Sequence, residues 1–100
     1  MQELNAETFI RSVEPIAASK RIGDKIKPFC QSVSVRRDST FFLIADGEII
    51  LKQKENGISI FISAQTIVDL YGIGTILSYY IYLEIKLMNI HWRHSSKLLY

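Results

Sequence analysis

The chain has 100 residues, of which 48% are hydrophobic and 22% are charged, and its formal net charge is +2. This length predicts one domain over residues 1–100, and the composition excludes a disordered chain. The lone cysteine, Cys30, excludes a disulfide framework within the chain. The longest uncharged stretch, 70–83, is shorter than the roughly 20 residues of a membrane-spanning helix, and no basic, apolar leader opens the sequence. We therefore expect a soluble, cytoplasmic domain with no membrane partner.

The first predicted element is an N-terminal helix. Asn5 is a suitable N-cap, and Phe9 and Val13 begin a stripe with the spacing of a core-facing helix. Pro15 removes a backbone donor, so we expect the helix to end or kink just before it. The segment that follows, 17–27, contains four basic residues around Gly23, and we expect it to be an exposed connection.

The clearest local signal is a β-hairpin. Two apolar runs, 41–45 and 48–52, flank Asp46 and Gly47, which are typical of the two central positions of a type I′ turn. One face of this hairpin is predicted to be wholly apolar, with Phe42, Ile44, Ile49 and Leu51. The other face is half apolar, with Phe41, Leu43 and Ile50 beside Glu48 and Lys52. If no helix covers the second face, we expect a twofold homodimer through it or through an adjacent sheet edge.

The remaining elements are predicted from alternation and capping signals. They are a strand at 32–36, a strand at 58–62 after the Asn56-Gly57 turn, a short helix from Ser63 to Gly72, a buried strand at 75–83, and a final helix at 84–99 with a seam of Ile85, Met88, Trp92 and Leu99. The predicted fold class is therefore α+β, with an antiparallel sheet centred on the Asp-Gly hairpin and flanked by an N-terminal and a C-terminal helix.

Positive charge is concentrated early in the chain. The segment from Arg11 to Arg37 contains seven basic residues and only two acidic ones. Such asymmetry permits an anionic partner such as DNA, although a solvated face is the simpler interpretation. The candidate contacts are Lys20, Arg21, Lys25, Lys27, Arg36 and Arg37. Tyr79, Tyr80 and Tyr82 are a candidate stacking platform for single-stranded nucleic acid, but their apolar neighbours favour core packing.

The sequence predicts no enzyme. Cys30 with His91 or His94 is the only available combination of a thiol and an imidazole, and we favour a core role for this cysteine. The two histidines are spaced i, i+3, but no third ligand for zinc lies near them in the sequence. The acids are scattered singly. We therefore expect no catalytic residue, no metal site and no cofactor.

The hairpin lies within a longer pattern. The segment 29–52 resembles the N-terminal domain of the TfoX/Sxy competence regulators, and Leu-Ser-Tyr-Tyr at 77–80 is similar to the residues before that family's last helix. The helix expected before Pro15 also looks like the family's first element. The motif positions are Phe29, Asp38, Phe41, Asp46, Gly47, Leu51, Lys52, Tyr79 and Tyr80.

The resemblance implies a non-enzymatic bacterial regulator of natural transformation. Members of the family act through protein–protein contacts with a cAMP-receptor-type transcription activator, so that activator is the implied partner. The alternative is a domain that binds nucleic acid directly through the basic segment 20–37. The family usually has a helix where residues 58–62 lie, whereas their alternation in this chain predicts a strand.

Overall fold

The computed structural model describes residues 2–45, 47–87 and 89–98. Its elements are β1 (Gln2–Arg11), α1 (Pro15–Ile26), β2 (Ser32–Arg36), β3 (Ser39–Ile44), β4 (Gly47–Lys54), β5 (Gly57–Ala64), α2 (Ile67–Ile85) and β6 (Arg93–Leu98), with a 3₁₀ turn at Lys27–Phe29. No helix within these described ranges has the length and hydropathy to cross a membrane.

The six strands form one sheet in the order β2-β3-β4-β5-β1-β6, and every neighbouring pair is antiparallel. Both helices pack on the same face of this sheet and contact each other. The predicted class is confirmed, because the fold is α+β with an antiparallel sheet flanked by two helices. The segments that form those helices, however, differ from the predicted ones.

The core lies between the sheet and the helices. Phe42, Ile49, Ile62 and Ala6 are successive cross-strand neighbours on four strands, and all are buried. Buried residues of both helices cover this row; they are Ala18, Ile22, Ile26, Leu70, Ile73, Leu77 and Ile81. Because side chains alternate along a strand, the opposite face of the sheet carries none of these core residues.

The N-terminal helix predicted from Asn5 is wrong, because residues 2–11 form strand β1. β1 lies between β5 and β6 and pairs with both. Ala6 and Ile10 point into the core while Glu7 and Phe9 lie on the other face, which is the period of a strand. Pairing on both sides satisfies the backbone of β1, and this long-range pairing is invisible to local helix signals.

The exposed connection predicted over 17–27 is also wrong, since α1 occupies that segment. Pro15 begins the helix, where a missing N–H has no intrahelical partner to lose. Ile22 and Ile26 are buried on its inner side, and the lysines lie outside. Gly23 gives α1 a close approach to the sheet, since a Cβ there would lie 3.1 Å from the Phe42 ring.

α2 replaces a predicted short helix and a predicted strand. Thr66, not Ser63, is the N-cap, and its hydroxyl accepts a hydrogen bond from the Asp69 backbone N–H at 3.1 Å. The helix continues through 75–83, which we expected as a strand because that segment is rich in β-branched and aromatic residues. Tertiary packing outweighs that preference, because Ile73, Leu77 and Ile81 recur at helical spacing over the sheet.

The final helix predicted at 84–99 is wrong as well. α2 ends at Ile85, because its C-cap residue Lys86 has a left-handed backbone (φ 58°), and β6 pairs with β1 further on. Ile85 and Trp92 both pack against the core, but they do so from different elements. The other two residues of the predicted seam, Met88 and Leu99, lie outside the described residues.

The strands predicted at 32–36 and 58–62 are confirmed as β2 and β5, and the hairpin is confirmed as β3 and β4. A type I′ turn at 46–47 predicts that Ile44 lies opposite Ile49, but in the structure Ile44 pairs with Gly47 and Phe42 pairs with Ile49, a shift of two residues. Gly47 belongs to β4 and has no positive φ, which excludes the predicted type I′ geometry. Asp46 lies outside the described residues. A two-residue shift preserves the strand faces, so the predicted wholly apolar face is confirmed.

Candidate interaction surface

The sheet has an open face that neither helix covers. One continuous cross-strand row runs over it through all six strands. In spatial order this row is Ser34, Phe41, Ile50, Phe61, Glu7 and Arg93. Its centre is apolar, and its far end is closed by an ion pair between Arg93 and Glu7.

Phe9 and Leu43 extend the apolar centre on either side of this row. We call Phe9, Phe41, Leu43, Ile50 and Phe61 the apolar ridge. Phe9 is 46% exposed, Leu43 is 45% exposed and Phe61 is 39% exposed. Exposed apolar side chains that lie next to one another, rather than singly, mark interaction sites on protein surfaces.

A groove of about 370 Å³ runs beside the ridge, at β1. Its lining residues include Phe9, Phe61, His91 and Arg93. The groove thus combines aromatic and polar side chains. A cleft of this kind accepts an anchoring side chain from a partner.

The polar surroundings of the ridge differ between its two ends. Arg36, Lys52, Lys54 and Arg11 occupy the open face toward the β4–β5 turn, and the Arg36 guanidinium lies 5.2 Å from the centre of the Phe41 ring. The opposite end carries Glu48 and Glu3. These two carboxylates line a second groove of about 490 Å³ together with Asp69. The open face is therefore basic at one end and acidic at the other.

The structure separates the basic residues that the sequence grouped as contacts for an anion. Lys20, Arg21 and Lys25 lie on α1 and Lys27 lies just after it, all on the helix side of the sheet. Arg36 lies on the open face, and Arg37 occupies the β2–β3 turn with a left-handed φ of 50°. These residues do not form one surface.

Three of the helix-side residues also have acidic neighbours. Lys20 and Lys27 both lie within 4 Å of Asp24 carboxylate oxygens, at 3.8 and 3.6 Å. Arg21 donates hydrogen bonds to Glu14 and Glu84, both at 2.8 Å, and these bonds raise the pKa of its guanidinium. The Glu84 bond ties α1 to α2. Much of the positive charge in this segment is therefore paired with acidic residues in or next to the two helices.

The motif positions taken from the family resemblance have mixed surroundings. Leu51 is buried in the core, whereas Phe41 and Lys52 lie on the open face. Phe29 is exposed beside Tyr80, with 6.4 Å between ring centres. The Asp38 carbonyl accepts a hydrogen bond from the Gln53 N–H at 2.8 Å, and a Cβ on Gly47 would lie 2.2 Å from the Ser63 carbonyl oxygen. Tyr79 is exposed on α2.

The structure keeps the candidate catalytic groups apart. Cys30 precedes β2 at one edge of the sheet, and His94 lies on β6 at the other edge, about 24 Å away at the usual strand spacing. The Cys30 thiol donates a hydrogen bond to the Ile26 carbonyl at 3.2 Å, and burial raises its pKa. His94 packs against Tyr71. Within the described part of the chain, no three potential ligand side chains gather around a common point for a metal.

Sequence reasoning identified Phe41, Leu43 and Ile50 as an uncovered face but missed Phe9 and Phe61. The period-two alternation around Phe61 was the available signal for its side of the sheet. Phe9 was assigned to a helix, so its place beside Phe61 depended on the pairing of β1 with β5.

Comparison with known proteins finds a solved structure of similar fold. The chain matches no protein-family model and no curated protein sequence. It is similar in structure to PA4090 from Pseudomonas aeruginosa, solved by NMR, with a TM-score of 0.68, 8% identity, and coverage of 95% of this chain and 96% of that one. At this identity the likeness shows a shared α+β fold.

Proposed function

We propose that this chain is a non-enzymatic protein-binding module and that its open sheet face holds the partner. The observation that carries the proposal is the apolar ridge, in which Phe9, Leu43 and Phe61 are exposed and Phe41 and Ile50 are half-buried. The helices bury the central strands on the other face of the sheet. Burying apolar area contributes about 25 cal/mol per Å². An uncovered ridge therefore supplies the driving force for association with another molecule.

The charge distribution favours a protein over a nucleic acid as that molecule. Phosphates of a strand crossing the whole face would meet Arg36 and Lys52 at one end but Glu48 and Glu3 at the other. A protein partner can match both ends, with acidic groups at the first and basic groups at the second. An apolar centre with a polar rim is also the usual composition of a reversible protein–protein interface.

The family resemblance makes the partner more specific. Phe41 and Lys52, two positions of the TfoX/Sxy motif, lie on the open face next to Ile50. We propose on this basis that the partner is a cAMP-receptor-type transcription activator and that the module regulates natural transformation. This form of the proposal rests on the resemblance of segments 29–52 and 77–80 to that family.

Direct binding of nucleic acid is the second candidate, and one observation favours it. Arg36 lies over the Phe41 ring, with Lys52 in the neighbouring row, so aromatic and basic groups meet at the basic end of the face. Single-stranded nucleic acid is bound by this combination of stacking and charge.

Affinity capture from cells that express the protein naturally tests the first candidate. Phe61→Ser removes the centre of the ridge, and Lys25→Ser on α1 is the matched control, since both positions are exposed. We expect a protein that the native chain and Lys25→Ser both retain and that Phe61→Ser loses. Equal retention by all three chains would show that the open face is not the binding surface.

Fluorescence anisotropy with labelled duplex and single-stranded DNA tests the second candidate. Affinity for DNA falls with salt, and each neutralised phosphate adds about 0.9 to the magnitude of the slope of log affinity against log salt. Four contacts would therefore make binding collapse between low and physiological salt. We expect no retention of DNA at physiological salt. Tight binding there that is lost in the Arg36→Ala/Arg37→Ala variant would establish the nucleic-acid candidate instead.

A further inference from the structure

Another exposed apolar surface among the described residues lies on α2. This helix has 19 residues, of which only Asp69 and Glu84 are charged. Its inner side is buried against the sheet through Leu70, Ile73 and Leu77. A surface helix normally has a polar outer side, and a helix that is apolar all round is normally buried all round. α2 therefore has the composition of a helix that is covered on both sides.

The outer side of α2 has the spacing of a helix-pairing seam. Val68, Gly72, Thr75, Tyr79, Tyr82 and Lys86 follow one another at intervals of four, three, four, three and four residues. This alternation of three and four is that of the contact positions in paired helices. All six are exposed, with Val68 at 77% and Tyr79 at 59%. We call these six residues the α2 seam.

The seam is symmetric about Leu77, which lies on the opposite side of the helix. In an antiparallel pair of identical helices centred there, Gly72 lies opposite Tyr82 and Thr75 lies opposite Tyr79. Each small residue thus receives a large one, as ridges-into-grooves packing requires. A Cβ added to Gly72 would meet no atom within 4 Å, so the space above it is free for a ring.

The charges at the ends of the seam complete this match. Asp69 lies in the first turn of α2 and Lys86 lies at its C-cap. An antiparallel arrangement brings Lys86 of one copy next to Val68 and Asp69 of the other, and it sets the two helix dipoles antiparallel. A twofold axis repeats this approach of Lys86 to the first turn of the partner helix at both ends, so the surface is complementary to itself.

From this seam we infer that the chain forms a homodimer by antiparallel packing of α2 against α2 of a second copy. Two other surfaces are less suited to this role. The exposed side of α1 carries Lys20, Asp24 and Lys25, and the open sheet face has a charged rim. Permanent homodimer interfaces are the more apolar class, and the α2 seam has one charged residue in six.

Mass measurement by light scattering at high micromolar concentration tests the inference. We expect twice the 11.5 kDa mass of the chain for the native protein and for Phe61→Glu on the open face. Tyr79→Glu should give the single-chain mass with an unchanged circular dichroism spectrum, because Tyr79 is 59% exposed and is not a core residue. A native monomer, or a dimer that Phe61→Glu dissociates and Tyr79→Glu does not, would overturn the inference.

Disulfide cross-linking tests the antiparallel register. In a Cys30→Ala background, Gly72→Cys with Tyr82→Cys should yield a covalent dimer on oxidation, since cysteine Cα atoms must lie within about 7 Å. Gly72→Cys alone should not cross-link, because positions 72 of the two copies would lie about 15 Å apart along the helix axis. Efficient cross-linking by the single variant would indicate parallel helices and contradict the register.

Discussion

Ile50 on β4 and Phe61 on β5 are direct cross-strand neighbours at the centre of the sheet face that neither α1 nor α2 covers. In the next cross-strand pair, Leu51 and Ile60 are also neighbours, but both are buried beneath the helices. The same two strands thus supply the core on one face and an accessible apolar ridge on the other. Core and ridge should respond differently to truncation.

Phe42→Ala and Phe61→Ser measure this difference. Phe42 is 1% exposed and contacts α1, so its truncation should lower the free energy of unfolding by about 3–5 kcal/mol. Phe61→Ser, on the open face, should cost about 1 kcal/mol. Urea unfolding of both variants at one protein concentration provides the values. Equal losses would mean that the open face is packed as tightly as the core.

Two glycine substitutions should have opposite effects. A Cβ on Gly47 would lie 2.2 Å from the Ser63 carbonyl oxygen, so Gly47→Ala should destabilise the fold by about 2–3 kcal/mol. Gly74 lies inside α2, where the nearest atoms would be 3.9 and 4.0 Å from a Cβ. Gly74→Ala should therefore stabilise the protein by about 0.5–1 kcal/mol, because alanine has the higher helix propensity. Thermal unfolding with the native chain as reference checks both signs, and a stabilising Gly47→Ala would contradict the β4–β5 register.

Ser78→Ala should loosen the segment that leads into β6. The indole Nε1–H of Trp92 donates a hydrogen bond to the Ser78 hydroxyl oxygen at 3.1 Å, which ties this segment to α2. Removing the acceptor should cost about 1 kcal/mol. Trp92 is the only tryptophan of the chain, so its fluorescence reports the change directly. We expect a lower unfolding midpoint and a red-shifted folded spectrum, with Ser95→Ala as a control; an unchanged spectrum would argue against the bond.

The reactivity of Cys30 should depend on pH in the direction set by burial. Burial raises the pKa of the thiol, so the reactive thiolate forms at higher pH than in the unfolded chain. The neutral thiol contributes stability below the unfolded pKa, and that contribution is lost as pH rises through the folded value. The rate of reaction with a chromogenic disulfide reagent, measured across alkaline pH, should reach its midpoint at a higher pH for the folded chain than for the chain in denaturant. A midpoint below that of the unfolded chain would contradict the described environment.

The elements predicted correctly are those fixed by neighbouring residues. Alternation within β2, within the hairpin and within β5 was sufficient to assign these strands and to distinguish their faces. The prediction for β1 was wrong, because Phe9 and Val13 also match a helical stripe. Only the pairing with β5 decides between a helix and a strand in this segment. The prediction of a strand at 75–83, now part of α2, was wrong, because the isoleucine and tyrosine content of this segment favours a strand when its packing over the sheet is not known.

The candidate surface was predicted in part for the same reason. Phe41, Leu43 and Ile50 lie in one hairpin, so their shared face followed from alternation alone. Phe9 and Phe61 join them through the pairing of strands about 50 residues apart, and local sequence carries no signal for such a contact. For the basic segment the error was the opposite one. Its residues are close in sequence and were predicted to form one contact surface, but the fold places them on two faces of the sheet.

Photo-cross-linking from the centre of the open face tests the proposed function most directly. Position 61 is replaced by p-benzoylphenylalanine, which preserves an aromatic ring there, and position 25 on α1 receives the same residue as a control. After irradiation of cells that express the protein naturally, we expect an adduct from position 61, absent from position 25, that protease removes and nuclease does not. Adducts that nuclease removes, or equal adducts from both positions, would contradict a protein-binding open face.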